Sequence, residues 1–218
     1  MDYAHFDTSG GERQTPTAKF NRPHISKELQ SLRESAFERS IPTADDETLN
    51  FIITQLRAVK PKNILELGTA TGISAIAMLN TCPDAHLTTV EKNETFFEEA
   101  KRNFKCFDAD MRVNAILGDA GEVIDMLKGT YDFIFMDCAK VQYIKYLPKL
   151  KKLLAHGGVL LADDILLFGW ITGEAEIPPK RKMLAKHVEE YVHAVTNDSE
   201  LSTTILNIGD GLALSVKL

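Results

Sequence analysis

The chain has 218 residues, 44% of them hydrophobic and 26% charged, with a formal net charge of −6. This is the length and composition of one globular α/β domain with a sizeable core; the acidic balance disfavours a surface that coats nucleic acid but leaves room for a local basic patch. Three cysteines, Cys82, Cys106 and Cys138, form no C-x-x-C pair and leave one over, which fits a reducing cytoplasm rather than a disulfide framework.

No apolar run approaches the roughly 20 residues of a membrane helix. The stretch MDYAHFDTSGGERQ has no basic head followed by apolar residues, so no secretory signal is expected. Residues 1–24 are polar and read as a flexible arm, with a lid or partner-grasping segment as the alternative. Residues 25–218 read as a single domain. From Ser26 a helix carries Ile25, Leu29, Leu32, Ala36 and Phe37 on one face, and Pro42 ends that element. Thr43-Ala44-Asp45 caps a second amphipathic helix through Leu49, Ile52, Ile53 and Leu56.

Asn63–Leu67 is a short apolar run that reads as a buried parallel strand, followed by Gly68 and a helix-like stretch, GISAIAMLN. Leu87–Glu91, Val113–Leu117, Tyr131–Met136 and Val159–Ala162 read as further strands with helices between them, and Gly157-Gly158 is expected to turn the chain into the last of these. A long loop, Leu166–Pro179, precedes a helix from about Lys180 to Val195. Ser202–Ile208 and Leu212–Lys217, joined by Gly209-Asp210-Gly211, read as a hairpin whose last strand runs antiparallel. The alternation predicts a doubly wound, mostly parallel α/β sheet.

In such sheets ligands lie beyond the carboxyl ends of the strands. The spacing Glu66-x-Gly68-x-x-x-Gly72 is not the G-x-G-x-x-G that seats a pyrophosphate, which disfavours a nicotinamide oxidoreductase. An acid in this turn repels phosphate and suits a cationic ligand, such as the sulfonium and amine of S-adenosylmethionine. Glu91 stands where an acid accepts from a ribose diol; otherwise it is a solvated strand end. Asp119 is placed to meet an adenine edge or to cap a helix, and both roles can hold at once.

If the strands ending at Asp137 and Asp163-Asp164 pair, they lie ~4.8 Å apart and present three carboxylates to one point. Carboxylates that close repel unless a cation sits between them, and hard oxygen ligands are what Mg²⁺ takes. The alternative is a set of independent strand-end caps. Lys140 is the candidate proton acceptor, with a pKa expected to fall beside a divalent cation. Otherwise it is a lysine on a surface turn. Cys138 reads as a packing residue, and the six histidines show no H-x-x-x-H, so no zinc site is expected.

ILELGTATGISA, the acid of TTVEK, GDA, MDCAK and LLADDI together resemble the cation-dependent class I methyltransferases, the catechol and caffeoyl-CoA O-methyltransferase group, from about Ser40 to Leu218. Within that group Pro179–Lys182, Asn197-Asp198, Ile208–Ser215 and Arg22-Pro23 are similar to the bacterial tRNA 5-hydroxyuridine methyltransferases. The resemblance implies a Rossmann-like, seven-stranded sheet, S-adenosylmethionine as donor, and Mg²⁺ or another divalent cation such as Mn²⁺ or Ca²⁺. It further implies a homodimer and, as acceptor, tRNA or a small catechol-like vicinal diol.

By the same resemblance, Glu66, Gly68 and Ser74 surround the donor's methionine part, Glu91 its ribose, and Asp119 and Ala120 its adenine. Ala44 closes over the donor. Asp137, Asp163 and Asp164 hold the metal, with Asp137 also near the donor, and Lys140 takes the acceptor's proton. The family usually has Asn where this chain has Asp164, so a third carboxylate should hold a cation firmly but weaken its pull on an acceptor oxygen. That departure is the one support for a non-catalytic, donor-binding module. Two further features follow from the residues themselves. Leu166-Leu167-Phe168-Gly169-Trp170 is an apolar loop suited to an interface or an acceptor pocket. Lys180, Arg181 and Lys182 stand at a helix start, where the macrodipole disfavours cations, and so read as phosphate contacts or as a solvated face.

Overall fold

A computed structural model describes residues 15–218. Its middle strand is β1 (Asn63–Leu67), buried from Ile64 onward because a strand pairs with it on either side and helices cover both faces. The others are β2 (His86–Glu91), β3 (Val113–Leu117), β4 (Tyr131–Met136), β5 (Leu154–Ala162), β6 (Leu201–Leu206) and β7 (Leu212–Lys217). They form one seven-stranded sheet in the order β3-β2-β1-β4-β5-β7-β6. β1 to β5 pair in parallel, and β7 runs antiparallel to both β5 and β6. The doubly wound architecture with an antiparallel last strand is therefore as expected.

Side chains alternate between the two faces of a strand. Ile64, Phe133 and Phe135 pack under α1 (Lys27–Glu38), α2 (Asp46–Val59), α3 (Ile73–Thr81) and α4 (Glu94–Cys106). Leu65, Leu67, Ile134 and Met136 pack under α5 (Ala120–Met126), α6 (Tyr143–Leu153) and α7 (Lys182–Thr196). Strand order reverses between β1 and β4, so the crevice for a ligand opens above the ends of those two strands.

Several boundaries differ from expectation for local reasons. Gly157 and Gly158 lie inside β5 rather than before it: Leu154 already pairs with Tyr131, and the register shifts before Val159 meets Phe133. The last helix starts at Lys182, because Pro178 and Pro179 lead into a short 3₁₀ turn at Pro179–Arg181. Phe37 is 45% exposed, and the buried face of α1 is completed instead by Arg33.

Of the expected flexible arm, residues 1–14 lie outside the described residues, and from Thr15 the chain is tied down. Thr15 Oγ1 stands 2.7 and 2.6 Å from the two carboxylate oxygens of buried Glu47, and Asn21 Nδ2 donates to Oε1 at 3.0 Å. Burial acts to raise the Glu47 pKa, but these donors, Thr17 and the Gly209 amide outweigh it and hold the group below its usual range.

Candidate active site

Three segments enclose the crevice: the loop after β1, the turn before α2, and the tip of β4. Gly68 has φ +102° and packs so closely on β4 that a Cβ there would stand 1.9 Å from the Asp137 carbonyl oxygen. Only glycine allows that approach. A cavity of about 20 Å³ lies between these segments, lined by Thr43, Ala44, Gly68, Thr71, Ser74 and Asp137 among others. The structure thus brings together Ala44, Gly68, Ser74 and Asp137.

Glu66 lies beneath this cavity, fully buried. It accepts from Ser74 Oγ and Thr89 Oγ1, each at 2.5 Å. Burial pushes its pKa up to about 8; the two hydroxyls pull the other way, and the charges of Asp137 and Glu91 add to the rise. A carboxyl held neutral by burial gains most from a cation arriving nearby. The hydroxyls of Thr43 and Thr71, both lining the cavity, are buried with no hydrogen-bond partner. Unpaired buried hydroxyls cost free energy unless a ligand or water satisfies them, so the cavity suits a polar, cationic group. Sequence reading gave neither threonine a site role: Thr71 entered only within the glycine-loop motif and Thr43 only within a helix cap, and neither carries charge.

Glu91, at the end of β2, is engaged with backbone: Oε2 accepts from the Ala70 amide at 2.8 Å and Oε1 from the Asn93 amide at 2.7 Å. It braces the far side of the glycine loop. Asp119 is the N-cap of α5, accepting from the Gly121 amide at 2.9 Å, and it pairs with Lys92 at 2.9 Å. The Lys92 contact is the largest cause that lowers its pKa. Ala120 is the first residue of that helix. Asp119 is thus at least a helix cap.

At the tips of β4 and β5, Lys140 Nζ stands 2.9 Å from Asp137 Oδ1 and 2.6 Å from Asp164 Oδ2, with its side chain only 10% exposed. Burial acts to lower the Lys140 pKa, but Asp137 and Asp164 outweigh it and raise it well above the usual lysine range. Lys140 here stands as counter-charge to these two carboxylates; the lowering expected of it belongs to the site with a divalent cation in place. Asp163 is buried, and its Oδ1 accepts from the Asp164 amide at 2.7 Å. Burial first, then the charges of Asp164 and Asp137, push its pKa well up.

Asp137 and Asp164 thus converge on one point, while Asp163 is turned toward its neighbour's backbone. Among the described residues no group of three or more His, Cys, Asp or Glu side chains stands ready to hold a metal. The donor chemistry still fits a hard divalent cation: all oxygens, net negative, and already gathered around a positive charge. Lys140 would have to yield its place.

Tyr143, which sequence reading did not single out, ties these tips together from below. Its hydroxyl donates to the Met136 carbonyl at 2.9 Å, and the Asp163 carbonyl stands 3.4 Å away.

A mostly parallel sheet with reversed strand order and a buried acid under its first loop fits a Rossmann-like methyltransferase. The O-methyltransferase family model matches residues 20–218, so the chain belongs to that family. It is an S-adenosylmethionine-dependent O-methyltransferase. Among its relatives, the caffeoyl-CoA O-methyltransferase of Stellaria longipes is 29% identical over 204 residues, covering 87% of this chain and 83% of the other. A Staphylococcus aureus protein described as a caffeoyl-CoA O-methyltransferase superposes with a TM-score of 0.81 at 35% identity, covering 89% of this chain and 93% of that one. The S-adenosylhomocysteine-bound methyltransferase PaMTH1 of Podospora anserina superposes with a TM-score of 0.83 at 23% identity, covering 92% of each chain. Among the described residues no helix is long and apolar enough to cross a membrane.

Proposed function

We propose that this enzyme methylates an acidified hydroxyl on tRNA, the 5-hydroxyl of a hydroxyuridine, with a divalent cation at Asp137, Asp163 and Asp164. The observation that carries the chemistry is the convergence of Asp137 and Asp164 on Lys140 Nζ at the edge of the crevice. A divalent cation in that place would supply Lewis acidity, lowering the pKa of an acceptor hydroxyl and replacing Lys140 as counter-charge.

The chain's own groups do the rest. Gly68 lets the first loop approach β4, so that a bound donor lies against Asp137. Glu66 offers a buried carboxyl to the cationic end of the donor, and Ala44 and Thr43 close the cavity above it. Glu91 fixes the glycine loop, and the Asp119-Ala120 turn stands where an adenine would lie. Lys140, relieved of its two carboxylates, would lose its proton to solvent and, as the neutral amine, take at Nζ the proton that leaves the acceptor oxygen. That oxygen would attack the donor's methyl carbon in line, the carbon–sulfur bond breaking to leave S-adenosylhomocysteine as the carbon–oxygen bond forms, and positioning two bound reactants is worth ~7–11 kcal/mol.

The acceptor reading rests on Lys180, Arg181 and Lys182, which lead into α7; Lys180 and Lys182 are exposed, and α7 packs on the turn that carries Lys140. A second reading, a small vicinal diol, is favoured by the caffeoyl-CoA acceptor in the relatives' names. Methyl transfer from labelled donor to bulk tRNA from a strain lacking this gene, beside a catechol panel and with and without chelator, decides between them. Chelator-insensitive transfer would remove the cation, and transfer to catechol alone would remove the tRNA.

A further inference from the structure

Arg33 is an anomaly in α1. Its side chain is 1% exposed, among the largest fully buried groups in the molecule, yet it carries a full charge. Arginine is almost never buried to that degree unless its fork is used. Here Nη2 donates to the Ala44 carbonyl at 2.7 Å, Nη1 pairs with Asp46, and the guanidinium stands 5.7 Å from the Phe37 ring centroid. Nε has no partner. One arm of the fork therefore reaches the short segment that joins Ile41 to α2, and another the first residue of α2 itself.

That segment, Pro42-Thr43-Ala44, is one wall of the cavity whose other wall is Gly68–Thr71. The width of this space is set by where the segment rests, and that is fixed by the Ala44 carbonyl's bond to Arg33 together with the pairing of Arg33 and Asp46 at the start of α2.

We propose that Arg33 is a positioning residue for the donor: it touches neither donor nor acceptor, but holds the Ala44 backbone at the distance from the glycine loop that closes on the donor. The proposal rests on the reading of this cavity as the donor's. A lysine cannot reproduce it, since one ammonium supplies a point charge where the fork spans a carbonyl and a carboxylate.

The test uses the full chain with Arg33→Lys, Arg33→Met and Asp46→Asn, the last removing the charge of a half-exposed partner and leaving the buried core untouched. Amide hydrogen exchange of the ligand-free protein should quicken at residues 43–46 in all three, by about tenfold in Arg33→Lys, with exchange in β1 and β4 unchanged. The dissociation constant for S-adenosylhomocysteine should rise about tenfold in Arg33→Lys and more in Arg33→Met, with the donor KM following it and the acceptor KM within twofold of wild type. Unchanged exchange at residues 43–46 would overturn the clamp itself. Quickened exchange with unchanged S-adenosylhomocysteine affinity would leave the clamp and refute its role toward the donor. A global loss of structure in both Arg33→Lys and Asp46→Asn would assign Arg33 to the core alone and sink the proposal.

Discussion

The hydroxyl of Tyr143 donates to the carbonyl of Met136 across 2.9 Å, one residue before Asp137. The same oxygen stands 3.4 Å from the Cys138 amide and 3.4 Å from the Asp163 carbonyl, so a single buried phenol spans the tips of β4 and β5. Tyr143→Phe keeps the ring and its edge-on packing with Tyr191 but removes one of two donors to the Met136 carbonyl, which retains the Asp163 amide at 3.0 Å. The expected cost is ~0.5–1.5 kcal/mol of stability by urea denaturation. Because the carboxylate-bearing tips lose one of their ties, the Mg²⁺ concentration needed for half-maximal activity should rise as well. A stability loss with an unmoved Mg²⁺ requirement would confine Tyr143 to packing.

Gly68→Ala tests the close approach of the first loop to β4. The added Cβ meets backbone 1.9 Å away, at a φ that L side chains rarely adopt, so neither a rotamer change nor a side-chain shift relieves it. Strained backbone of this kind costs ~1–3 kcal/mol before the clash is counted. The variant should melt lower and lose measurable S-adenosylhomocysteine binding by calorimetry. Wild-type affinity would mean that the loop can move off β4 without harm.

Glu66 makes a pH prediction whose sign follows from its raised pKa. Its carboxyl titrates near its ordinary value when unfolded and at about 8 when folded. The folded state therefore binds the proton more tightly. The contribution is fully present below the unfolded pKa, falls as pH rises between the two values, and is lost above about 8. The ligand-free enzyme should lose stability across that window by at most ~1.4 kcal/mol per pH unit, and Glu66→Gln should flatten the slope. A cationic donor favours the ionised form, so donor binding at neutral pH should release a proton. Calorimetry in two buffers of different ionisation enthalpy measures that release.

The strand-by-strand architecture was legible because each parallel strand is an apolar run bounded by a polar tip, and the tips carry the acids. Boundaries blurred where backbone geometry overrode composition: Gly157 and Gly158 look like a turn but sit at a register shift inside β5. The site residues at strand ends could be named, yet their present state could not. Lys140 was expected as a base beside a cation; that it lies between Asp137 and Asp164 could not be read, because those partners come from two strands whose register only the fold fixes. Arg33 stayed hidden because a charged residue on a helix reads as solvated, and Tyr143 because an aromatic beside a helix start reads as core.

Asp164→Asn introduces the residue that the family resemblance implies at this position and removes one of the two charges that hold Lys140. With a carboxylate gone, the site should bind a divalent cation more weakly, by about tenfold or ~1.4 kcal/mol. Once saturated, the same site polarises an acceptor oxygen more strongly, so kcat should rise while the required Mg²⁺ concentration increases. Mg²⁺ titrations of activity in both proteins measure the two effects separately. A fall in kcat at saturating Mg²⁺ would show instead that Asp164 is needed as a carboxylate.

The start of α7 offers the sharpest separation of the two acceptors. Lys180 and Lys182 are exposed, and no acid caps this helix, whose N-cap position is Arg181 with no side-chain cap bond. Cations at a helix start are disfavoured by roughly 0.3–1 kcal/mol each, a cost recovered when they meet phosphates. Lys180→Glu with Lys182→Glu should leave the melting temperature near that of wild type, since neither side chain is buried. Methylation of tRNA should fall at least tenfold, with the salt dependence of tRNA binding shallower by about one unit of log–log slope per lost phosphate contact. Methylation of a free catechol, which presents no phosphate, should be unchanged. Equal losses on both acceptors would trace the effect to the α7 contact with the Lys140 turn, and a variant indistinguishable from wild type on tRNA would reduce these lysines to a solvated helix face.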